Sequence, residues 1–543
     1  MSPIEQFITW GRSRPNAVFL RQPYSGNWKT WTYAQADDEV RRIAARLREC
    51  NLPPGSKVAI LSKNCAHWIM ADLAIMMCGF VSVPVYATLT APSIRQILEH
   101  SETKAVFIGK LDRYDSLSEA IPPGVIKIGI LTYGSSEENT WEEWLKSAPY
   151  TGCYIWKPQE ILTIIYTSGT TGKAKGVMHA VESFYQVVTV AVMELGIPLN
   201  PKLFSYLPLS HIAERSGIEM IGLYTGAQFS FAESLDTFSK NLADTQPNLF
   251  FAVPRIWSKF REKILEKLPQ KKLDRLLAIP LVGTLIKKSI RKKLGLSKAS
   301  HIYTGAAPMS LEALQWFDSL GIVIFQAYGM TEDCLYAHFN RHGANRLGTV
   351  GQRLSGLQVK IAAEGEIRLK GPGNLKGYFK EPELTASTFD EEGFLKTGDI
   401  GEIDADGFLK LTGRLKDQFK TDKGKYISPT PIEMKLLTNE CIEMTCVVGM
   451  GIPQPIALVV LSPLGKTKTK EEVVHSITAT LTDVNPILEP FERIEKAVIL
   501  NGDWTIENGL LTPSLKVKRN EVEKIHLPKY PNWYKQSGVV VWE

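Results

Sequence analysis

The chain has 543 residues, of which 44% are hydrophobic and 22% charged, and its formal net charge is +6 at pH 7. This is the composition of an ordinary globular protein with enough apolar residues for a large core, and it excludes collagenous and intrinsically disordered chains. Seven scattered cysteines form no Cys-x-x-Cys pair and show no zinc-like spacing, so we expect reduced thiols in a cytoplasmic protein. The start of the chain lacks the basic and apolar stretches of a secretory signal.

Helical and β-like stretches alternate near the N-terminus. Helical spacing over residues 33–49 precedes a short apolar strand at 57–61. The next segment, 68–87, carries a single charge, Asp72, and has the length of a membrane span. Gly79 and Pro84 divide it, which favours a buried helix followed by a buried strand. The alternation predicts an α/β layer architecture.

Residues 166–177 form a loop rich in glycine, threonine and lysine, after the β-rich run 161–166. Glycines let backbone N–H groups approach a ligand closely, and hydroxyl and ammonium groups suit a polyphosphate. A solvated turn could have the same composition. Walker spacing fails at both ends, because Thr167 stands five residues before Gly172 and Ala174 follows Lys173. The candidate phosphate-binding residues are Thr167, Ser168, Gly169, Thr170, Thr171, Gly172 and Lys175.

This loop, Tyr-Thr-Ser-Gly-Thr-Thr-Gly-Lys-Ala-Lys-Gly-Val, closely resembles the phosphate-binding loop of the adenylate-forming (AMP-binding) superfamily. That superfamily includes acyl-CoA synthetases, adenylation domains of peptide synthetases and beetle luciferases. Ala174 departs from the family form by replacing a proline. With the later motifs, the resemblance implies a large N-terminal domain, residues 1–413, built from α/β layers and a small β subdomain. It also implies a smaller, mobile α+β C-terminal domain, residues 414–543, which carries a catalytic lysine.

His211 follows an apolar strand and a proline-containing turn in the stretch 203–215. A lone histidine is more often structural than catalytic. The family, however, places a histidine here beside the acyl pocket, and the form Pro-Leu-Ser-His-Ile-Ala-Glu-Arg resembles long-chain fatty acyl-CoA synthetases most. The resemblance therefore makes His211 a candidate catalytic residue. Some fatty-acid members carry a gating tryptophan where this chain has Arg215, so no such gate is expected.

The segment 255–298 is the most basic part of the chain, with fourteen Lys or Arg and three Asp or Glu. Its apolar residues recur at helical spacing, which predicts basic amphipathic helices interrupted by Pro269 and Pro280. Three explanations stay open: a solvated helix pair, contact with anionic lipid headgroups, or contact with CoA phosphates or nucleic acid. Nucleic acid is the weakest of these, because the segment has no interleaved stacking aromatics.

Two further turns follow short β-like runs, at residues 303–310 and 325–333. Small side chains in the first turn allow a flat ring to lie against the backbone, and Tyr328 in the second offers a face for stacking. By resemblance these are the adenine-binding turn and the Tyr-Gly-x-Thr-Glu motif. The resemblance assigns Tyr328 to adenine, Thr331 to the α-phosphate and Glu332 to Mg²⁺. The remaining residues predicted to line the nucleotide are Gly305, Ala306, Ala307 and Gly329.

Short strands and turns follow over residues 364–411, which suggests a small β subdomain. By resemblance, Asp399 of the Thr-Gly-Asp motif holds the ribose diol, Arg414 supports it, and Lys416 is the hinge between domains. The stretch Leu-Thr-Pro-Ser-Leu-Lys-Val-Lys-Arg near the C-terminus resembles the motif that inserts a mobile lysine into the adenylation site. Lys516 is our choice for that lysine, with Lys518 in reserve, and Lys425 is a weaker candidate for a phosphate or CoA contact.

These resemblances predict an AMP-forming acyl-CoA synthetase that uses ATP, Mg²⁺ and CoA, with a medium- or long-chain fatty acid as substrate. Transfer to a carrier protein and activation of an aromatic or other non-fatty acid remain alternatives. A luciferase-like oxygenase would share the adenylation half, and a binding protein with an inactive site is a non-enzyme alternative. We expect the partners to be small molecules, with membrane contact through 255–298 as an open question and no nucleic acid.

Overall fold

The computed structural model describes residues 1–168, 174–512 and 515–543. Among these residues, eight strands form a first sheet with parallel pairing over most of its width. At one end, antiparallel strands flank the predicted phosphate loop. In spatial order the strands are Gly377–Tyr378, Ala174–Ala180, Ile161–Ser168, Val81–Val85, Lys57–Leu61, Ala105–Ile108, Ile126–Gly129 and Asn139–Thr140.

A second sheet has nine strands within the described ranges, parallel at its centre and antiparallel at both edges. In spatial order they are Gln352–Arg353, His338–Phe339, Phe325–Tyr328, His301–Thr304, Leu249–Ala252, Lys202–Ser205, Gln228–Phe231, Val18–Tyr24 and Asn27–Thr32. The predicted adenine-binding turn and the Tyr-Gly-x-Thr-Glu motif both begin at the carboxyl ends of neighbouring parallel strands of this sheet. That edge is where α/β sheets bind their ligands.

The segment 68–87 forms a buried helix and a buried strand, as predicted. The helix, Ala66–Met77, is apolar apart from His67 and Asp72, and every one of its residues is buried. A helix of this kind must be covered on all faces. It contacts strands of both large sheets, Val18–Tyr24 in one and Lys57–Leu61 with Val81–Val85 in the other. No helix of the described chain combines the length and apolarity needed to cross a membrane.

The helices that accompany these sheets range from three to seventeen residues, and many of them are amphipathic. In the N-terminal part they are Pro3–Ser13, Tyr33–Glu49, Ala66–Met77, Ala91–His100, Tyr114–Ser118, Trp141–Trp144, Val181–Leu195, Ile212–Glu214, Ile221–Thr225, Phe238–Thr245, Pro254–Lys267, Gln270–Leu277, Pro280–Lys293, Leu311–Ser319 and Pro382–Thr388. The basic segment is helical with breaks near Pro269 and Pro280, as its periodicity predicted.

A small antiparallel sheet follows the second large sheet, as the sequence suggested. Its strands are Gln358–Ile361, Glu366–Lys370, Leu395–Ile403 and Leu409–Arg414. The segment is less uniform than its sequence indicated, because Pro382–Thr388 is helical and Gly377–Tyr378 pairs with the first large sheet.

The smaller C-terminal domain has mixed α/β structure around one four-stranded sheet of Ile442–Val448, Ile456–Leu461, Lys496–Ile499 and Val540–Trp542. Apolar clusters cover both faces of this sheet. The helices here are Pro429–Leu436, Pro463–Thr467, Lys470–Val484, Arg519–His526 and Tyr530–Lys535, and a short hairpin pairs Phe419–Lys420 with Tyr426–Ile427. The first of these helices contacts strand Leu409–Arg414, and Arg255 forms an ion pair with Glu443 across the two domains.

Candidate active site

The predicted phosphate loop lies between two antiparallel strands of the first sheet. Thr167 and Lys175 face each other in register, and Ser168 is the last residue of the first strand. Four predicted residues, Gly169, Thr170, Thr171 and Gly172, lie outside the described residues. Strand pairing therefore places the two ends of the loop side by side at one edge of the sheet.

Lys175 belongs to a short chain of contacts that leads to Glu332. Its Nζ lies 5.7 Å from the centre of the Tyr378 ring. The Tyr378 hydroxyl in turn donates a hydrogen bond of 2.9 Å to Glu332 Oε1. Burial and the negative charge of Glu332 raise the pKa of Tyr378, so the phenol keeps its proton. Tyr378 was missed by the sequence reasoning, and it connects two of the residues that the sequence did predict.

Buried groups fix the backbone around Thr331 and Glu332. The ring Nε2 of His179 donates to the carbonyl of Thr331 over 2.7 Å. Burial lowers the pKa of His179 to about 4, so the imidazole is neutral at pH 7. Asp333 Oδ1 accepts from the N–H groups of Met330 at 2.9 Å and Tyr336 at 3.1 Å. These bonds hold the turn in one conformation and leave the Glu332 side chain half-buried beside Tyr378.

Asp399 is held by two donors on opposite sides of its carboxylate. The Tyr328 hydroxyl donates to Oδ2 over 2.8 Å, and Arg414 Nε donates to Oδ1 over 2.6 Å. Asp399 and Arg414 are also register partners on neighbouring antiparallel strands, which puts their side chains on one face. The adjacent negative charge of Asp399 raises the pKa of Arg414, which stays charged. Three predicted residues therefore meet in one hydrogen-bonded group.

The predicted adenine-binding turn follows strand His301–Thr304 directly. Gly305 is buried, and a Cβ added there would lie 3.0 Å from the carbonyl oxygen of Ala327. Ala307, two residues later, is exposed. Ala306 has a φ of 65°, a left-handed conformation that alanine adopts at a cost of roughly 1 kcal/mol. Gly329 lies against the backbone of Leu335, with a Cβ position only 2.9 Å away. Both glycines thus keep neighbouring chain segments in close contact.

His211 begins the short helix Ile212–Glu214, and its Nδ1 accepts the N–H of Ala213 over 3.2 Å. Because Nδ1 is the acceptor, the ring proton lies on Nε2. Enclosure by the protein and the nearby charge of Lys516 lower the pKa of His211 to about 3. His211 therefore offers a neutral N–H donor and carries no positive charge at pH 7. Buried Asn64 supports the preceding turn by accepting the N–H of Leu209 over 3.1 Å.

Lys516 belongs to the C-terminal domain and lies near Glu332, Asp399, Arg414 and His211. Its backbone N–H bonds the Thr512 hydroxyl over 3.0 Å, within the same turn. Its pKa is lowered to about 8, chiefly by desolvation and by the charge of Arg414, while Asp399 and Glu332 oppose the shift. The residue still has solvent-exposed surface, so crowding around the ammonium group, and not complete burial, accounts for the lowered pKa. Lys516 is thus within electrostatic range of three predicted site residues and of His211.

Lys425 is the predicted residue that lies apart from this group. It is exposed, near the tip of the hairpin formed by Phe419–Lys420 and Tyr426–Ile427, and its Nζ lies 5.6 Å from the centre of the Phe491 ring. Phe491 belongs to the same C-terminal domain. In this arrangement of the two domains, Lys425 contacts neither the Asp399 group nor Glu332.

Three ionisable side chains, Arg215, Asp72 and Glu219, meet in a fully buried group; Arg215 stands where some family members carry a tryptophan. Arg215 Nη2 lies 3.0 Å from Asp72 Oδ1, and Arg215 Nη1 lies 2.8 Å from Glu219 Oε2. All three side chains have no exposed surface. Burial raises the pKa of Glu219 well above its usual range, so Glu219 is neutral. A proton on Glu219 also accounts for two buried oxygens without a donor, Asp72 Oδ2 and Glu219 Oε1.

In the predicted nucleotide site, Glu332 is the carboxylate assigned to a divalent cation. Glu332 is half-buried beside a phenol, and no cluster of three or more His, Cys, Asp or Glu suited to a metal occurs in the described ranges. Mg²⁺ bound to a nucleotide needs only one or two protein carboxylates, because phosphate oxygens and water complete its coordination. The donor set fits a nucleotide-borne Mg²⁺ and does not form a complete protein cage.

Two family models match most of the chain. Residues 7–379 match the family model described as AMP-binding enzyme, and residues 416–536 match the model of the AMP-binding enzyme C-terminal domain. The chain is 26% identical to the long-chain-fatty-acid–CoA ligase FadD15 of Mycobacterium bovis, with 94% of this chain and 93% of the relative covered. It is 28% identical to the long-chain-fatty-acid–CoA ligase ACSBG2 of Xenopus laevis, with 96% and 82% covered.

Solved structures show the same two-domain fold. The A domain of carboxylic acid reductase from Segniliparus rugosus, in complex with AMP and a carboxylic acid, aligns with a TM-score of 0.81 at 21% identity, covering 98% of this chain and 94% of that one. The anthranilate CoA ligase AuaEII, in complex with anthranoyl-AMP, aligns with a TM-score of 0.79 at 20% identity, covering 97% of each chain. The chain therefore belongs to the AMP-binding enzyme family of adenylate-forming ligases, and it is most like the long-chain fatty acyl-CoA synthetases.

Proposed function

We propose that this chain is an AMP-forming acyl-CoA synthetase that activates a medium- or long-chain fatty acid with ATP and then transfers the acyl group to CoA. The observation that carries the proposal is the position of Lys516, which reaches from the C-terminal domain into range of Glu332, Asp399 and Arg414. This is the arrangement expected for the adenylation half of the reaction, in which negative charge must be neutralised. The fatty-acid assignment is supported by likeness to two long-chain ligases.

In the first half, a carboxylate oxygen of the acid attacks the α-phosphorus of ATP, and the bond to pyrophosphate breaks. The protein contributes mainly by positioning the reactants and by stabilising charge. Asp399, aligned by Tyr328 and Arg414, would accept the ribose hydroxyls. The loop ending at Lys175 would bind the phosphates, and Lys516 would balance the charge that develops during the displacement. Mg²⁺ held by Glu332 and the phosphates would supply further charge neutralisation.

His211 would serve as a neutral donor to the acid. Its Nε2–H can donate to a carboxylate oxygen, while its low pKa excludes it from acting as a cation at pH 7. A neutral donor positions the carboxylate without forming an ion pair that would weaken its nucleophilicity. This role concerns orientation of the acid and the charge of the acyl-AMP carbonyl, and it involves no proton transfer.

In the second half, the CoA sulfur attacks the acyl carbon, and AMP leaves. We propose that the domains divide at 413/414 and that the C-terminal domain rotates about Lys416 between the halves, a hinge-type change. The rotation would withdraw Lys516 and open a path for the thiol. Lys425, which lies apart from the nucleotide residues in the present arrangement, stays a candidate for a CoA phosphate contact after rotation.

A comparison of two lysine variants tests the assignment. Lys516→Ala should abolish acid-dependent pyrophosphate release while retaining conversion of supplied acyl-AMP and CoA to acyl-CoA and AMP. Lys518→Ala changes the reserve candidate, two residues away on the same segment, and should leave both half-reactions close to wild type. Normal adenylation by Lys516→Ala would show that the lysine assignment is wrong.

A panel of acids tests the substrate class. Pyrophosphate release with short, medium, long and aromatic acids should be fastest with medium or long aliphatic chains. Product analysis with CoA and with an acyl carrier protein then identifies the acceptor. Exclusive transfer to the carrier protein, or a clear preference for an aromatic acid, would replace the proposed reaction by one of these alternatives, while ATP-dependent formation of an acyl-AMP would stand.

A further inference from the structure

We propose that the helical hairpin of Gln270–Leu277 and Pro280–Lys293 docks the enzyme onto an anionic lipid bilayer. This docking face comprises Ile279, Leu281, Leu285, Lys288, Lys292 and Lys293. It lies outside the residues assigned to catalysis, and the inference goes beyond the proposed reaction. Three features of the face support it: its unbalanced positive charge, its exposed apolar side chains and the helical stripe that four of its residues form.

The charge of the hairpin is unbalanced. Between residues 275 and 298 the chain has seven Lys or Arg and no Asp or Glu. The ion pairs found among the described residues include none with Lys287, Lys288, Lys292 or Lys293. Lys288, Lys292 and Lys293 are also exposed. An unpaired basic surface of this kind attracts anionic headgroups.

Large apolar side chains of the same hairpin are exposed to solvent. Ile279 is 50% exposed, Leu281 82% and Leu285 67%. The opposite side of the same helix is already used, because Ile286 and Ile290 pack against a buried cluster around Trp257 and Phe317. The exposed leucines are therefore not part of the protein core, and exposed apolar side chains of this kind indicate a binding surface.

Helical spacing arranges these residues in one stripe. Leu281, Leu285, Lys288 and Lys292 are separated by four, three and four positions, which places them on one side of helix Pro280–Lys293. The two helices are in close contact at Gly283, where an added Cβ would lie 2.7 Å from the carbonyl oxygen of Leu277. This contact holds the two helices together at the tip that carries Ile279 and Leu281, at the opposite end of helix Pro280–Lys293 from Lys292 and Lys293. Apolar residues beside lysines are what an interfacial amphipathic helix needs, and a bilayer supplies both environments at once.

Arg291 should be excluded from any test of this face. Its guanidinium donates to the carbonyls of Gly321 at 3.2 Å, Leu296 at 3.3 Å and Ala299 at 3.2 Å. These bonds tie the helix to the following loops. A change at Arg291 would confuse lost structure with lost docking.

The test is co-sedimentation of the full chain with vesicles of phosphatidylcholine alone or of phosphatidylcholine with phosphatidylglycerol. Wild type should bind the anionic vesicles and bind neutral vesicles weakly. The triple variant Lys288→Gln, Lys292→Gln, Lys293→Gln should bind anionic vesicles at least tenfold more weakly, because each lysine near an anionic surface contributes on the order of fivefold. The matched control is Lys104→Gln, Lys410→Gln, Lys535→Gln, which removes the same charge from exposed lysines elsewhere and should bind within about twofold of wild type.

A second variant separates docking from general charge attraction. Leu281→Ser with Leu285→Ser keeps every charge and changes side chains that are mostly exposed, so its thermal unfolding should match wild type. Its binding to anionic vesicles should still fall several-fold, because less apolar surface enters the interface. Equal binding by wild type and both hairpin variants, or equal loss in the control, would overturn the proposal. Retention on a soluble polyanion with no vesicle binding would also overturn it and would indicate a soluble acidic partner.

Discussion

The charge distribution in the buried group of Arg215, Asp72 and Glu219 predicts how substitutions there change the free energy of unfolding. One arginine faces two carboxylates at 3.0 Å and 2.8 Å, with no solvent contact, and the raised pKa of Glu219 leaves that side chain neutral. The group therefore holds one positive and one negative charge. Replacing Arg215 with methionine leaves a buried negative charge without its partner, a loss of about 3–5 kcal/mol in the free energy of unfolding.

Removing one carboxylate should cost far less. In Glu219→Gln the neutral partner is replaced by another neutral group, and Asp72 still pairs with the arginine. In Asp72→Asn the remaining carboxylate can lose its proton and take over the pairing with Arg215. Each single change should cost about 1 kcal/mol, the value of an ordinary hydrogen bond. Asp72→Asn combined with Glu219→Gln leaves a buried arginine alone and should cost about 3–5 kcal/mol.

Equilibrium unfolding in urea at pH 7 measures these changes, with the free energy extrapolated to water. The double-mutant cycle should give a coupling of roughly 1–3 kcal/mol between the two carboxylate changes. Additive costs would refute the shared proton, since they would mean that both carboxylates are charged or that neither needs the arginine. A change of less than about 1 kcal/mol in Arg215→Met would refute the buried ion pair itself.

Three other predictions concern the candidate active-site residues and the domain interface. First, because Lys516 loses its positive charge above its pKa of about 8, kcat/KM for ATP in a CoA-free pyrophosphate exchange assay should fall as pH rises through about 8; the fall should be absent in Lys516→Arg, and its persistence there would point to another group. Second, Tyr328→Phe removes one of two donors to Asp399 and should raise the KM for ATP roughly tenfold, with the KM for the acid unchanged; an equal rise for both substrates would indicate general disruption. Third, Glu443→Gln breaks the ion pair with Arg255 and should slow adenylation by up to about fivefold, whereas Glu440→Gln, which breaks a pair within the C-terminal domain, should not; equal rates in both variants would show that the interdomain pair does not stabilise this arrangement.

Local sequence pattern predicted the elements around the site well. The helix Tyr33–Glu49 and the strand Lys57–Leu61 have the bounds that periodicity indicated, and the phosphate loop lies between paired strands as expected. These elements depend on short-range spacing, which a single sequence displays directly. The resemblance assigned Tyr328, Asp399 and Arg414 to one nucleotide, and the structure joins these three side chains by hydrogen bonds.

The contacts that the sequence did not reveal depend on strand register and burial. Tyr378 reaches Glu332 only because its two-residue strand pairs with Ala174–Ala180, some two hundred residues earlier in the chain. His179 supports Thr331 from inside the fold, where its short-range sequence context gives no sign of a partner. Arg215 stands out in the sequence only because it lies where some family members have a tryptophan. Nothing in the sequence around Arg215 indicates Asp72 as its partner. Long-range pairing of this kind requires the three-dimensional structure.

The hydrogen bonds that Asp399 accepts from Tyr328 and Arg414 have a consequence for the timing of product release. Arg414 ends the strand that pairs with Asp399 and lies two residues before Lys416, the proposed pivot. With the proposed pivot so close, the group proposed to bind the ribose would also anchor the moving domain. Loss of AMP should therefore loosen the anchor, and an analogue that keeps the ribose occupied should delay the return of the C-terminal domain. Nucleotide exchange and domain reset would then proceed as one event, set by a single carboxylate.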